Sequence, residues 1–134
     1  MKRDEGQWQP VQLAGAMAAP AGAYSPGIRA GGFIFVSGQI PKDPATGKIV
    51  GDDVEMQTRQ VLANVGAVLE SGGASLADLV SVTVYLADPD LWGRFNDAYQ
   101  AILSPPYPTR TAVGAALRGI LVEISAVAYV GTGR

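Results

Sequence analysis

The chain has 134 residues, 48% hydrophobic and 16% charged, which fits one globular domain with its own core and excludes a disordered chain. Ten basic residues against twelve acidic ones leave a net charge of -2, which disfavours nucleic acid or an anionic membrane as a partner. The sequence contains neither cysteine nor histidine, which excludes disulfides, thiol nucleophiles, Cys or His metal sites and imidazole catalysis; Arg, Lys, carboxylates, hydroxyls, backbone groups and water are left to carry any chemistry.

Residues 1–9 are polar and read as a frayed end, so 1–19 is expected to be an extension with a short first strand at 11–13, and 20–134 a single domain. The Ala-rich stretch 11–23 is a poor signal peptide, because Asp4 and Glu5 spoil a basic start and Gln12 interrupts the apolar run. No apolar run reaches the roughly 18 residues of a membrane span, and a cytoplasmic protein is expected. The Ala/Gly/Pro-rich segment 14–22 and the loop Tyr24-Ser25-Pro26-Gly27 lead to a short strand at 28–30, a Gly31-Gly32 hairpin turn and a buried strand at 33–40. That strand turns polar at its end, where Gly38 permits close backbone approach and Ser37 either lines a pocket or is satisfied by backbone.

After a surface loop at 41–48, Asp52 followed by Glu55 has the spacing of a capping box. Val54, Thr58, Val61, Leu62, Val65, Val68 and Leu69 then recur at helical spacing until Gly72-Gly73 ends the run. Val80, Val82, Val84 and Leu86 alternate with Ser81, Thr83 and Tyr85 as a strand with one core face. Asp88-Pro89 supplies a cap and first-turn proline for a second helix, with Leu91, Phe95, Ala98, Tyr99 and Ile102 inward, and Pro105-Pro106 ends it.

The last segment reads as a β-hairpin: 111–116, a turn at Arg118-Gly119, and an apolar run at 120–130 broken by Glu123 and Ser125. A turn centred there sets Gly114 opposite Glu123 and puts Arg110, Gly114 and Glu123 on one face, with the two charges roughly 13 Å apart along the strand. Thr111, Val113 and Ala115 then join Ile120, Val122, Ile124, Ala126 and Ala128 on the core face. Two or three strands, helix, strand, helix and two strands imply an α+β layer fold, an antiparallel or mixed sheet with two helices on one face. The far face, carrying Tyr85, Leu121, Val127 and Tyr129, is too apolar to stay wet and is expected to meet other subunits.

An ordered set of motifs covers about residues 20–130: Tyr24-Ser25, the run from Phe33 to Pro41 containing Ser37-Gly38-Gln39, Gln57-Thr58-Arg59-Gln60-Val61-Leu62-Ala63-Asn64, Phe95-Asn96-Asp97-Ala98-Tyr99, Pro108-Thr109-Arg110-Thr111 and Val122-Glu123-Ile124. In this order they resemble the reactive-intermediate (enamine/imine) deaminases, the RidA, YjgF or L-PSP family. The resemblance implies a chorismate-mutase-like fold, a homotrimer with clefts between subunits, and hydrolysis of small 2-imino acids to 2-oxo acids and ammonia without metal or cofactor. It also implies that Arg110 binds the substrate carboxylate, that Glu123 holds the attacking water, and that Tyr24, Ser37, Asn96 and the backbone at Ala112 line the pocket. The alternative is a trimeric small-carboxylate-binding or regulatory protein without turnover; ribonuclease activity, attached to the older family label, fits the acidic, histidine-free composition least. Two departures from the family pattern stand out. The Arg-to-Glu span is slightly short, with Leu117-Arg118-Gly119 where Leu-Pro is usual, and Ala23 precedes Tyr24 where proline is common.

Overall fold

Strand alternation and two amphipathic helices set the architecture of this computed structural model, which describes residues 7–14 and 22–131. Strand β1 spans Gln9–Pro10, earlier than the expected 11–13, and Val11 just beyond it is buried in the core. Residues 1–6, and most of the segment 14–22, lie outside the described residues. Strands β2, Gly27–Ala30, and β3, Phe33–Gln39, form the expected hairpin, with Ala30 opposite Phe33. Gly31 makes this two-residue turn possible by adopting a φ of 59°.

Helix α1, Val54–Ser71, buries Val54, Val61, Leu62, Val65, Val68 and Leu69 against the sheet. Its cap is Asp53, one residue later than the capping-box spacing implied, and the Asp53 carboxylate accepts the Met56 N–H at 2.7 Å. Glu55 is drawn away from the cap by Arg94, which it meets at 2.7 Å on the outside of the molecule. Strand β4, Leu79–Leu86, follows a short 3-10 turn. Asp88 and Pro89 start a second 3-10 turn that runs into helix α2, Trp92–Ile102, whose Phe95, Ala98 and Tyr99 are buried. Strands β5, Thr109–Gly114, and β6, Val122–Tyr129, complete a six-stranded mixed sheet.

The sheet order is β1-β2-β3-β6-β4-β5, so β5 and β6 are not a hairpin. β4 lies between them, parallel to β5 and antiparallel to β6. The link 115–121 straddles the end of β4, held by the Ala115 N–H on the Leu86 carbonyl and the Ala87 N–H on the Leu121 carbonyl, both at 2.9 Å. Two physical reasons override the turn signal at Arg118-Gly119. The segment β4-α2-β5 is a strand-helix-strand unit, which favours parallel neighbours. The apolar β6 also gains more from pairing on both sides than the short polar β5, which suits an edge.

The new neighbours change the faces. Val82 pairs with Arg110 and Val84 with Ala112, so Arg110 and Ala112 point to the helix side, while Thr111 and Val113, expected in the core, point away from it and are exposed. On β6, Val122, Ile124, Ala126 and Ala128 are buried under the helices as expected, and Glu123 faces the other way. The face away from the helices is uncovered and carries Phe33, Phe35, Val113 and Tyr129, each 42–49% exposed. Leu121, expected on that face, packs partly buried against the core instead. Among the described residues no helix is long and apolar enough to cross a membrane.

Candidate functional site

Arg110 stands on the helix side of the edge strand, where α2 builds its surroundings. Trp92, Asn96 and Tyr99 recur along one stripe of that helix, and this stripe meets Arg110. Arg110 Nη1 donates to Asn96 Oδ1 at 2.8 Å, which fixes one arm of the guanidinium. The guanidinium carbon also lies 4.8 Å from the ring centre of Tyr99, 5.3 Å from that of Trp92 and 5.8 Å from that of Phe95. Three rings at these distances stabilise a cation and strip water from it, which prepares it for an anion. Burial pushes the Tyr99 hydroxyl up from its usual range, with Arg110 partly opposing.

Glu123 is half-buried opposite Tyr85 on the uncovered face, between Val122 and Ile124, which anchor β6 in the core. Its carboxylate lies against Gly38, where a side chain of any other residue would collide with Oε2. A register shift between Val36 and Gln39 on β3 brings this stretch of backbone toward it. Ser37 Oγ donates to the Ser25 carbonyl at 2.6 Å, so it is satisfied by backbone and ties the loop bearing half-exposed Tyr24 to the end of β3.

The six residues singled out in the sequence thus form two groups. Arg110, bonded to Asn96, and Ala112 sit at the β5 edge; Glu123 lies against Gly38 at the polar end of β3, next in sequence to Ser37, whose hydroxyl holds the carbonyl of Ser25, the neighbour of Tyr24. Arg110 and Glu123 do not share a face, contrary to the hairpin register. In one chain they are on opposite sides of the sheet, with backbones two strands and three residues apart, about 14 Å by strand geometry. Among the described residues no cluster of three or more metal-binding side chains occurs.

The sequence pattern of the family described as Endoribonuclease L-PSP matches residues 15–130. The chain belongs to this family, also known as RidA or YjgF. A RutC family protein of Pyrococcus horikoshii is 46% identical over 112 residues, which are 82% of this chain and 89% of that protein. A Bos taurus protein named 2-iminobutanoate/2-iminopropanoate deaminase is 37% identical over 117 residues, covering 84% of this chain and 85% of its own. Among solved structures, RidA from an Antarctic Psychrobacter superposes with a TM-score of 0.85 at 34% identity, covering 91% of this chain and 99% of that one.

Other residues of the L-PSP family motifs support the site without belonging to it. Asn64, on the buried side of α1, donates through Nδ2 to the carbonyls of Ile40 and Lys42 at 3.0 and 2.8 Å, and so fixes the chain just beyond Gly38 and Gln39. Gln57 donates to the Gly51 carbonyl at 3.0 Å and accepts the Leu121 N–H at 2.8 Å, which anchors the entry to β6 two residues before Glu123. Both residues lie in the sequence motif 57–64, which by itself does not reveal these bonds. Their signal was polar side chains on the otherwise apolar stripe of α1. The periodicity of α2 accounts for Phe95 and Tyr99 as core residues and gives no sign that Trp92 stands beside Arg110.

Proposed function

We propose that the chain is a cofactor-independent deaminase that hydrolyses small 2-imino acids to 2-oxo acids and ammonia, acting in the cytoplasm as a homotrimer whose sites join the Arg110 group of one copy to the Glu123 group of the next. The observation that carries this reading is the part-buried guanidinium of Arg110, fixed by Asn96 and walled by aromatic rings. Its free N–H groups match a planar carboxylate with two parallel charge-assisted bonds. The uncovered apolar face supports association, and the separation of the two groups within one chain supports a shared site. The family relationship and the deaminase name of the Bos taurus relative support the reaction class.

In this mechanism Arg110 holds the substrate carboxylate, and the backbone at Ala112 with Tyr24 and Ser37 completes the pocket. Glu123 accepts a hydrogen bond from water and takes its proton as the oxygen bonds to the imine carbon. The C=N π electrons pass to nitrogen, which takes that proton back from Glu123. Glu123 then takes the aminol hydroxyl proton and delivers it to the same nitrogen; the O–H electrons form the C=O bond of the 2-oxo acid, and ammonia leaves with the C–N bond electrons. The imine is already electrophilic, so positioning and one proton acceptor suffice.

The test is to generate 2-iminopropanoate with an amino-acid oxidase, trap it with semicarbazide and measure how far the protein suppresses the adduct. Wild type suppresses it at micromolar concentration, and Arg110→Lys, a point charge without the fork, loses roughly a hundredfold in kcat/KM. No suppression by wild type overturns the reading. A second reading, a carboxylate-binding or regulatory protein without turnover, is favoured by the distance of Glu123 from Arg110 within one chain. It predicts calorimetric binding of 2-oxo acids that Arg110→Ala abolishes, in a parent with no deaminase activity.

A further inference from the structure

The guanidinium of Arg110 forms part of the wall of a cavity of about 420 Å³, lined also by Trp92, Asn96, Tyr99, Gln100 and Tyr107. A cavity of this size belongs with small-molecule sites, typically ~300–1,000 Å³, and exceeds what a three-carbon imino acid fills. Its wall is chemically uneven. It combines one cation, Arg110, and two carboxamides, Asn96 and Gln100, with the flat rings of Trp92 and Tyr107, each about half exposed (46% and 49%). Tyr99 lines the same cavity and is 3% exposed, so its ring is a fixed part of the wall.

We propose that this cavity is the side-chain pocket of the site and that it selects 2-imino acids with a large planar side chain, the aromatic class, over three-carbon ones. The inference rests on the deaminase reading, because it takes Arg110 as the carboxylate anchor. A carboxylate on the fixed guanidinium leaves the rest of the ligand next to the rings of Trp92 and Tyr107. Flat faces there favour an offset-stacked aromatic group over a flexible aliphatic chain, which would lose more rotational freedom for the same contact.

Two variants outside the Arg110 contacts test it: Tyr107→Ala, which removes one ring, and Gln100→Trp, which fills the cavity from an exposed helix position. Binding is measured first, by calorimetry of the full-length protein with pyruvate and phenylpyruvate. The expected result is that phenylpyruvate binds at least tenfold more tightly than pyruvate, and that both variants remove this advantage while leaving pyruvate affinity within twofold. Equal affinities in wild type, or variants that leave the preference intact, overturn the proposal. Turnover of the imines of alanine and phenylalanine then separates the two readings. A protein that hydrolyses the alanine imine without preferring the phenylalanine imine is a deaminase lacking this pocket function. One that hydrolyses neither, yet binds phenylpyruvate through Tyr107, keeps the pocket and loses the deaminase reading.

Discussion

Glu123 keeps its carboxylate where it is because residue 38 has no side chain. A Cβ at position 38 would overlap Oε2 and lie 3.1 Å from Cδ of Glu123. The obstructing atoms are the tip of a flexible side chain, so the clash is relieved by rotating the carboxylate while the backbone stays put. Gly38→Ala is therefore expected to fold with a thermal midpoint close to wild type and to lose tenfold or more in kcat, as the water-holding group is displaced; calorimetry and the semicarbazide assay read the two effects separately. Gly32 makes the opposite case. A Cβ there meets the backbone of Gly131, 2.8 Å from its carbonyl carbon, and nothing in that contact can swing aside. Gly32→Ala is expected to destabilise the fold by about 1–3 kcal/mol in urea titration, the usual cost of forcing a packed region apart, with kcat per folded molecule unchanged. The same contrast separates Ser37 from Arg110. Ser37 spends its hydroxyl proton on the Ser25 carbonyl, whereas Arg110 has donors left after bonding Asn96.

At the scale of elements, the polar side chains inside α1 do the work of positioning. Asn64 donates to two carbonyls of the chain after β3 and accepts from Gln60 Nε2 at 2.9 Å; Asn64→Ala removes these three bonds and takes the donor from the Lys42 carbonyl, while the Ile40 carbonyl keeps the Lys42 N–H at 2.7 Å. The substitution is expected to cost about 1–3 kcal/mol, read as a lower urea midpoint. Thr58 gives the reverse expectation. Its Oγ1 is fully buried with no partner among the described residues, so Thr58→Val, which keeps the shape and removes the orphan hydroxyl, raises stability by about 1 kcal/mol. The helices, the Gly31-Gly32 hairpin and β4 were legible in the sequence because each follows from local periodicity, caps and turn residues. Strand adjacency was not. Arg118-Gly119 is a sound turn signal, and Gly119 does take a φ of 71°, but a turn shows only that the chain bends, not which strand it lands beside. The competing evidence was non-local: an 11-residue helix between β4 and β5 demands a crossover, and a crossover favours parallel neighbours. The motifs supplied the candidate residues, while their faces depended on that pairing, and the hairpin register put Arg110 on the wrong one.

At the scale of the molecule, the corrected faces turn an inconsistency into a test. Two groups on opposite sides of one sheet cannot act on the same small molecule within one chain, so the proposed reaction requires copies to share sites. A closed ring of three makes every site alike, with Arg110 drawn from one copy and Glu123 from its neighbour. Arg110→Ala and Glu123→Ala are each expected to be inactive alone, since every site in either homotrimer lacks one group. Mixed, unfolded together and refolded at equal amounts, they reassort: each site draws an intact Arg110 half the time and, independently, an intact Glu123 half the time. The mixture is expected to regain about a quarter of wild-type activity, because independent draws multiply across a heterologous interface. Activity that stays at zero, while sedimentation shows mixed trimers, means that both groups serve from one chain and that the shared site is wrong. Phe35→Glu bears on the same point from the interface side. It sets a charge in the exposed apolar face, where Phe35 is 46% exposed and lies 6.4 Å, ring to ring, from Phe33. Monomers seen by sedimentation with a folded circular dichroism spectrum and no deaminase activity are the expected outcome, because separating the copies separates Arg110 from Glu123 without touching either.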